Sequence, residues 1–283
     1  MASKHDILRR GRLILMAAPG ALVILLFFVV PLAVVSEEAF TGGGDAFAAI
    51  FADSIFWRGL AGTLVLGLTA PAFSLLVGFC VAWHLSALPE NLRTNLLFWI
   101  SLPLTFSGLI VAYGFILAYG RAGFITLSLA GLGLADPATF SGFLYSPVGL
   151  AFAYSYYLIP RVVLILLPVL VNFDRDQIKA AQSLGATHFR SMMDILIPQI
   201  MPSAVSAFCL VSAVAIGAYG TALALVGTQV NILPLILYSR ISDSGADFPS
   251  AAALSVILLT LCTLVLAAGE LYILRRERHE ALP

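Results

Sequence analysis

The sequence predicts an all-α integral membrane protein with six transmembrane helices, and three observations carry that reading. The 283-residue chain is 60% hydrophobic and only 11% charged, with a mean hydropathy of +1.00. Soluble domains carry roughly 25% charged residues, so this composition cannot coat a water-facing surface. Apolar runs of about 20 residues, the length that crosses a hydrocarbon core, recur along the whole chain. Lysine and arginine gather in alternate connections, as the positive-inside rule requires.

Spans are expected at 13–35, 59–86, 96–118, 147–171, 200–226 and 250–274. The charged start (Lys4, Arg9, Arg10, Arg12) could open a signal peptide, but Leu13 to Val35 outruns the usual signal core of roughly 7–15 residues. It is expected to be an uncleaved first span. Residues 36–58 are a polar connection with Glu37, Glu38, Asp45 and Asp53, and 119–146 form a second one rich in Gly and Ser. Asp136-Pro137 and Ser146-Pro147 are its turn signals. A third long connection, 227–249, contains the stretch SDSGADFP. The short link 87–95 and the segment 172–199 fall on the opposite side.

With the N-terminus inside, eleven of the 15 basic residues are cytoplasmic: Lys4, Arg9, Arg10, Arg12, Arg93, Arg175, Lys179, Arg190, Arg275, Arg276 and Arg278. Only Arg58, Arg121 and Arg240 fall outside, and Arg161 lies within span four. Both termini are therefore expected in the cytoplasm. The organisation expected is a cytoplasmic N-terminal segment (1–12), a membrane domain (13–274) with a cytoplasmic loop (172–199), and a cytoplasmic tail (275–283). The formal net charge of zero gives no field for nucleic acid. Cys80, Cys209 and Cys262 all sit inside apolar runs, read as small core hydrophobes without disulfide or metal spacing.

The spans carry many helix breakers, among them Pro19, Pro31, Pro71, Pro103, Pro160, Pro168, Gly108, Gly217 and Gly220. Lipid tolerates these where neighbouring helices or a water-lined cavity satisfy the freed backbone groups. Composition leaves two readings open: kinked packing with small-residue contacts, or helices that rock around a pathway.

The segment KAAQSLGATHFRSMMDILIP (179–198) is polar yet helical in pattern. Ile178, Ala181 and Leu184 precede Gly185, and Phe189, Met192, Met193 and Leu196 follow at the i, i+3, i+4, i+7 spacing of an amphipathic helix. Gly185 can take the positive φ of a helix C-cap, so two short helices meeting there are expected, with Pro198 marking the turn into span five. Lys179, Gln182, Ser183, His188, Arg190 and Asp194 form the polar face.

The chain here resembles the permease subunits of ABC importers. Their pattern of Glu-Ala-Ala, three residues, Gly, nine residues, Ile-x-Leu-Pro reads in this sequence as Lys179-Ala180-Ala181, Gly185 and Ile195-Leu196-Ile197-Pro198 with every spacing kept. Lys179 stands where Glu is usual, which reverses a charge, and Ile197 stands where Leu is usual. The stretches 84–115 and 157–170 look like permeases of the polyamine/opine/phosphonate group, and the resemblance covers about residues 10 to 275. It implies a type I importer permease fold in the bacterial inner membrane. Lys179, Ala180, Ala181, Gly185, Ala186, Phe189, Ile195 and Pro198 would then belong to a loop seated on a separate ATPase. It further implies a second permease, related but non-identical, and a soluble solute-binding protein docking on the outward loops. ATP and Mg would be bound by the ATPase, since no G-x-x-x-x-G-K-[ST] loop occurs here and no cofactor is expected in this chain.

Arg161 is the most informative residue inside the membrane. It lies roughly 21 Å along a helix from Pro147, and a charge at that depth faces protein or a water-filled cavity. It either contacts an anion in the pathway or serves structure, bonded to carbonyls around Pro160 or paired across a subunit interface. Tyr157 and Tyr219 are candidate pathway residues with it, and Thr105, Ser107, Ser212 and Thr221 are weaker ones. The spans hold no Asp or Glu away from their ends, which leans against a polyamine and towards an anionic or zwitterionic solute such as a phosphonate or opine. His84, beside Trp83 at the end of span two, reads as an interfacial anchor.

An intramembrane enzyme would need paired catalytic groups at one depth. His5, His84, His188 and His279 are all terminal or cytoplasmic, so no enzyme activity is expected. A stand-alone secondary transporter is the remaining alternative. It would predict a buried ionisable relay or inverted repeats.

Overall fold

The computed structural model describes residues 18–227, 230–242 and 247–280. The predicted segment 1–12, the first residues of span one and residues 281–283 of the tail lie outside the described residues. Within these limits the chain is helical, with no strand among the described residues. The helices are α1 (Ala18–Ala39), α2 (Asp45–Ala52), α3 (Ser54–Ser86), α4 (Glu90–Ser101) and α5 (Gly108–Tyr119). They continue as α6 (Phe124–Gly131), α7 (Pro137–Gly142), α8 (Pro147–Val171), α9 (Asp176–Ser183) and α10 (His188–Ile216). The last three are α11 (Gly220–Val226), α12 (Leu233–Ser242) and α13 (Phe248–Glu280).

Six segments are long and apolar enough to cross a membrane: α1, α3, α5 with α6, α8, α10, and α13 as far as Arg276. The fourth has the bounds expected from the sequence, because Ser146 accepts a hydrogen bond from the Gly149 amide (3.2 Å) and Pro147 occupies the first helical turn. The third and fifth differ. Span three was expected at 96–118, but α4 and a 3₁₀ turn (Leu102–Thr105) precede a break at Phe106 and Ser107, and the candidate span runs Gly108–Gly131. Span five was expected at 200–226. Helix begins instead at His188, stops at Ile216, and resumes as α11 after Gly217, Ala218 and Tyr219. The connections are also more ordered than expected, since α2, α6, α7 and α12 lie inside them.

Two π-turns explain how α1 and α10 pass through proline. Leu25–Val29 ends two residues before Pro31, and Met192–Leu196 ends two residues before Pro198. A proline has no N–H to give the carbonyl four residues back and its ring crowds that carbonyl. The wider turn takes the strain, with the Ile197 amide bonding to the Met192 carbonyl. Pro198 therefore does not mark a turn into span five; the helix runs straight through it.

The chain divides into two compact units. In the first (residues to Ser54, and Leu237–Ile257), Arg240 pairs with Asp53 at 3.0 Å. The Asp247 carboxylate accepts from the Ser250 amide at 3.1 Å and caps α13. The second unit (Ile55–Ile236, Leu258–Pro283) is built around α8, the most buried of the spans. Tyr154, Leu158, Val162 and Leu166 on it are fully buried. Helix α3 approaches α8 through Gly78, where a Cβ would lie 2.6 Å from Val162 Cγ1. Small residues let spans approach in this way where lipid supplies no hydrophobic drive between them. Thr63 of α3 accepts from the Leu233 amide at 2.8 Å and so ties the start of α12 to that helix.

Candidate functional site: a tethered loop and a central cavity

The loop between α8 and α10 is built by backbone chemistry that the sequence encodes. Helix α9 ends in a Schellman motif: the Gly185 amide donates to the Gln182 carbonyl (3.0 Å) and the Ala186 amide to the Ala181 carbonyl (3.1 Å). Gly185 holds φ +93°, a conformation that costs any residue with a Cβ. The Ala-x-x-x-Gly-Ala spacing of residues 181–186 is therefore the geometry of one turn. Thr187 then caps α10, accepting from the Arg190 amide at 3.3 Å. Ala180 and Lys179 lie on the exposed side of α9.

Both ends of the loop are tied down. Arg175 donates to the Ser86 hydroxyl (2.7 Å) and lies over the Trp83 ring, 4.5 Å from its centroid. Trp83, the neighbour of the His84 read from sequence as an interfacial anchor, thus holds the entry to the loop. Phe173 and Ile178 are buried beneath it. Gln199 donates to Gln177 at 2.7 Å, joining α9 to α10. Lys179 pairs with Asp176 at 2.7 Å. Its hydrogen bond to Asp176, with that carboxylate's charge, raises the lysine pKa and lowers the aspartate's. The charge-reversed position of the family pattern is thereby neutralised within α9.

The apolar stripe expected on the second helix does not bury as one face. Leu196 is buried and Met192 and Ile195 are half-buried, whereas Phe189 and Met193 are exposed. Phe189 (69% exposed) and Leu184 (89%) leave large apolar side chains on an otherwise polar, tethered tip.

The second constellation lies where spans three and five break. Thr221, at the start of α11, donates to the Gly108 carbonyl at 3.0 Å. Tyr154 of α8 donates to the Ala218 carbonyl at 2.7 Å. The broken backbone is thus satisfied by side chains from other spans, the condition under which a membrane core accepts irregular chain. Between them lies a cavity of 420 Å³ whose lining includes Arg161, Tyr157 and Tyr219 together with Ser107, Gly108 and Thr221. The three candidate pathway residues, drawn from two separate stretches of sequence, line one space. Thr105 and Ser212 are not among its lining residues.

Arg161 is half-buried, and its guanidinium makes no hydrogen bond or ion pair with the described residues. Of the two structural alternatives, bonding to carbonyls around Pro160 is not what the described residues show. Tyr157 is buried, and its hydroxyl lies beside that of Thr221 without a hydrogen bond. None of the cavity's lining residues is acidic. No group of three or more His, Cys, Asp or Glu capable of holding a metal occurs among the described residues.

Residues 74–278 match the sequence profile of the family described as the binding-protein-dependent transport system inner membrane component. The chain belongs to that family. It is a permease subunit of an ABC importer and not an enzyme. The permease is 28% identical over 214 residues to the spermidine/putrescine transport system permease protein PotB of Salmonella typhimurium (strain SL1344), covering 76% of this chain and 74% of the relative. It is 26% identical over 271 residues, 95% of each chain, to the sulfate transport system permease protein CysW of Synechocystis sp.. The permease also shares its fold with a chain of the bacterial alginate ABC transporter solved with an alginate pentasaccharide-bound periplasmic protein. That match has TM-score 0.76 and 20% identity, and covers 94% of both chains. None of these relatives is named for a phosphonate or an opine.

Proposed function

We propose that this permease forms half of a translocation pathway and works as one of two related permeases with two ATPase subunits and a solute-binding protein. The observation that carries the reading is the loop 172–199. A Schellman turn, an Arg175–Trp83 contact and a Gln199–Gln177 bond make it stiff, while Leu184 and Phe189 stand out from its tip. A stiff apolar tip suits a groove on a partner that must push on it. ATP and magnesium belong to that partner. The distribution of lysine and arginine supports a cytoplasmic loop and cytoplasmic termini in a bacterial inner membrane. A binding protein would then dock at the opposite ends of the spans.

Copurification tests the reading. The tagged full chain, extracted gently from its native membrane, is expected to bring an ATPase with it, together with a second permease or a binding protein. Recovery of a folded chain alone, even after crosslinking, would return the stand-alone transporter to first place.

A further inference from the structure

We propose that the cavity at the breaks of spans three and five is an oxyanion subsite, which receives a sulfate or carboxylate group of the transported solute on Arg161, Tyr157 and the first amides of α5. This deepens the importer reading and rests on it.

Three features independent of one another converge there. The first is charge. Arg161 brings a guanidinium roughly 21 Å into a membrane helix, where an unpaired ion is costly. The cavity offers it no carboxylate, and no described residue accepts its hydrogen bonds. Its five donors form a planar fork suited to two oxygens of one acid group. The second feature is an unsatisfied donor. Tyr157 is more than nine-tenths buried, lines the same cavity, and its hydroxyl has no hydrogen-bond partner. The neighbouring Thr221 hydroxyl lies outside hydrogen-bond geometry and gives its own proton to the Gly108 carbonyl, so the phenolic proton still needs an acceptor. The third is the start of α5. Gly108 and Leu109 line the cavity, and the first amides of a helix have no carbonyl partner within it. The helix dipole adds a positive end there.

Each feature favours an acceptor with negative charge, and none favours a cation. A spermidine-like solute would meet a guanidinium and a helix N-terminus with no carboxylate between them. The shared ligand chemistry is an oxyanion, and it could come from an inorganic ion or from an acidic sugar. The break in span three is what makes the site possible, because an unbroken helix would bury the amides of Gly108 and Leu109 in its own ladder.

The test uses the full chain with the subunits that copurify with it, reconstituted in nanodiscs of zwitterionic lipid. Binding is read as the shift in thermal unfolding on adding sodium sulfate, sodium glucuronate or spermidine, against sodium chloride at matched ionic strength. Sulfate or glucuronate is expected to give a saturable shift, and whichever does so names the source of the oxyanion. Arg161→Gln is expected to weaken that binding by about tenfold or more, the size set by loss of charged hydrogen bonds. Arg161→Lys should restore part of it. Tyr157→Phe, which removes one oxygen only, should weaken binding while the unliganded unfolding temperature holds; it keeps the test decisive if Arg161→Gln fails to fold. No shift beyond chloride, a larger shift with spermidine, or full anion binding by both variants would each overturn the proposal. The ATPase content of the same preparation separates the two readings: an ATPase present with no anion effect removes the subsite alone, whereas its absence removes the importer assembly whatever the anions do.

Discussion

The Tyr154 hydroxyl donates a 2.7 Å hydrogen bond to the Ala218 carbonyl, joining the N-terminal half of α8 to the break in span five. Tyr154 is fully buried, and Ala218 lies between two helices that cannot supply an amide for its carbonyl. Tyr154→Phe keeps the packing and removes the donor, leaving a carbonyl unpaired in a medium with no water to replace it. A loss of about 1–3 kcal/mol is expected, seen as a lower unfolding temperature of the purified protein in detergent. An unchanged temperature would show that the break is held by other contacts.

Gly185 offers a cleaner separation of backbone from packing. A Cβ placed on it meets nothing within 4 Å, yet its φ is +93°. Gly185→Ala therefore carries no steric clash with the rest of the chain, only the left-handed backbone cost of about 1–2 kcal/mol. Because the cost falls on a loop, the membrane domain should fold normally while coupling suffers. The expected result is normal membrane levels with reduced ATPase activity in the assembled complex. Gly185→Asn should be milder, since Asn tolerates this region better. Equal activity in all three forms would mean that the turn's geometry does not matter to coupling.

Leu184 and Phe189 test what the tip touches. Both are exposed in this chain, so replacing them together by serine removes little internal packing and should change stability by no more than about 0.5 kcal/mol for each. If they seat in a partner's groove, the double variant should lose most of the copurifying ATPase. Undiminished recovery would place the ATPase contact elsewhere on the loop.

The parts of this molecule that were legible in the sequence are those whose causes are local. Ser146-Pro147 sets the start of span four through one cap and one proline, and the structure begins the helix there. The turn at Gly185 is local in the same sense, since all its hydrogen bonds join residues within five positions. Pro103, Gly108, Gly217 and Gly220 marked breakers near both sites, but the sequence did not say which breakers would interrupt a helix, and the reason is physical. Leu104-Thr105-Phe106-Ser107-Gly108 carries no charge and lies between apolar runs, so a window of span length runs through it. What makes the breaks tolerable is Tyr154, 64 residues from Ala218, and Thr221, 113 residues from Gly108. Arg161 stood out as a charge at depth, but its proximity to the start of α5 depends on those distant bonds. The helix at 188–196 was predicted, and its continuity through Pro198 was not, because a π-turn leaves no mark in composition.

Asp247 gives a pH-dependent prediction outside the membrane spans. Hydrogen bonds from the Ser250 hydroxyl and amide, aided by the nearby Arg240 charge, lower its pKa below the ordinary 3.8. A carboxylate whose pKa falls on folding contributes stability that is complete above the unfolded value, about 3.9, and disappears as pH drops through the lower folded value. Unfolding temperature should therefore decline as pH falls below about 4 by more in the native chain than in Asp247→Asn, which keeps a cap acceptor and does not titrate. Asp247→Ala should instead lose about 1 kcal/mol at neutral pH, the usual worth of an N-cap. The quantity read is the native profile minus that of the Asn variant. Identical acid profiles for native and Asn forms would show that the cap's charge adds nothing to its hydrogen bond.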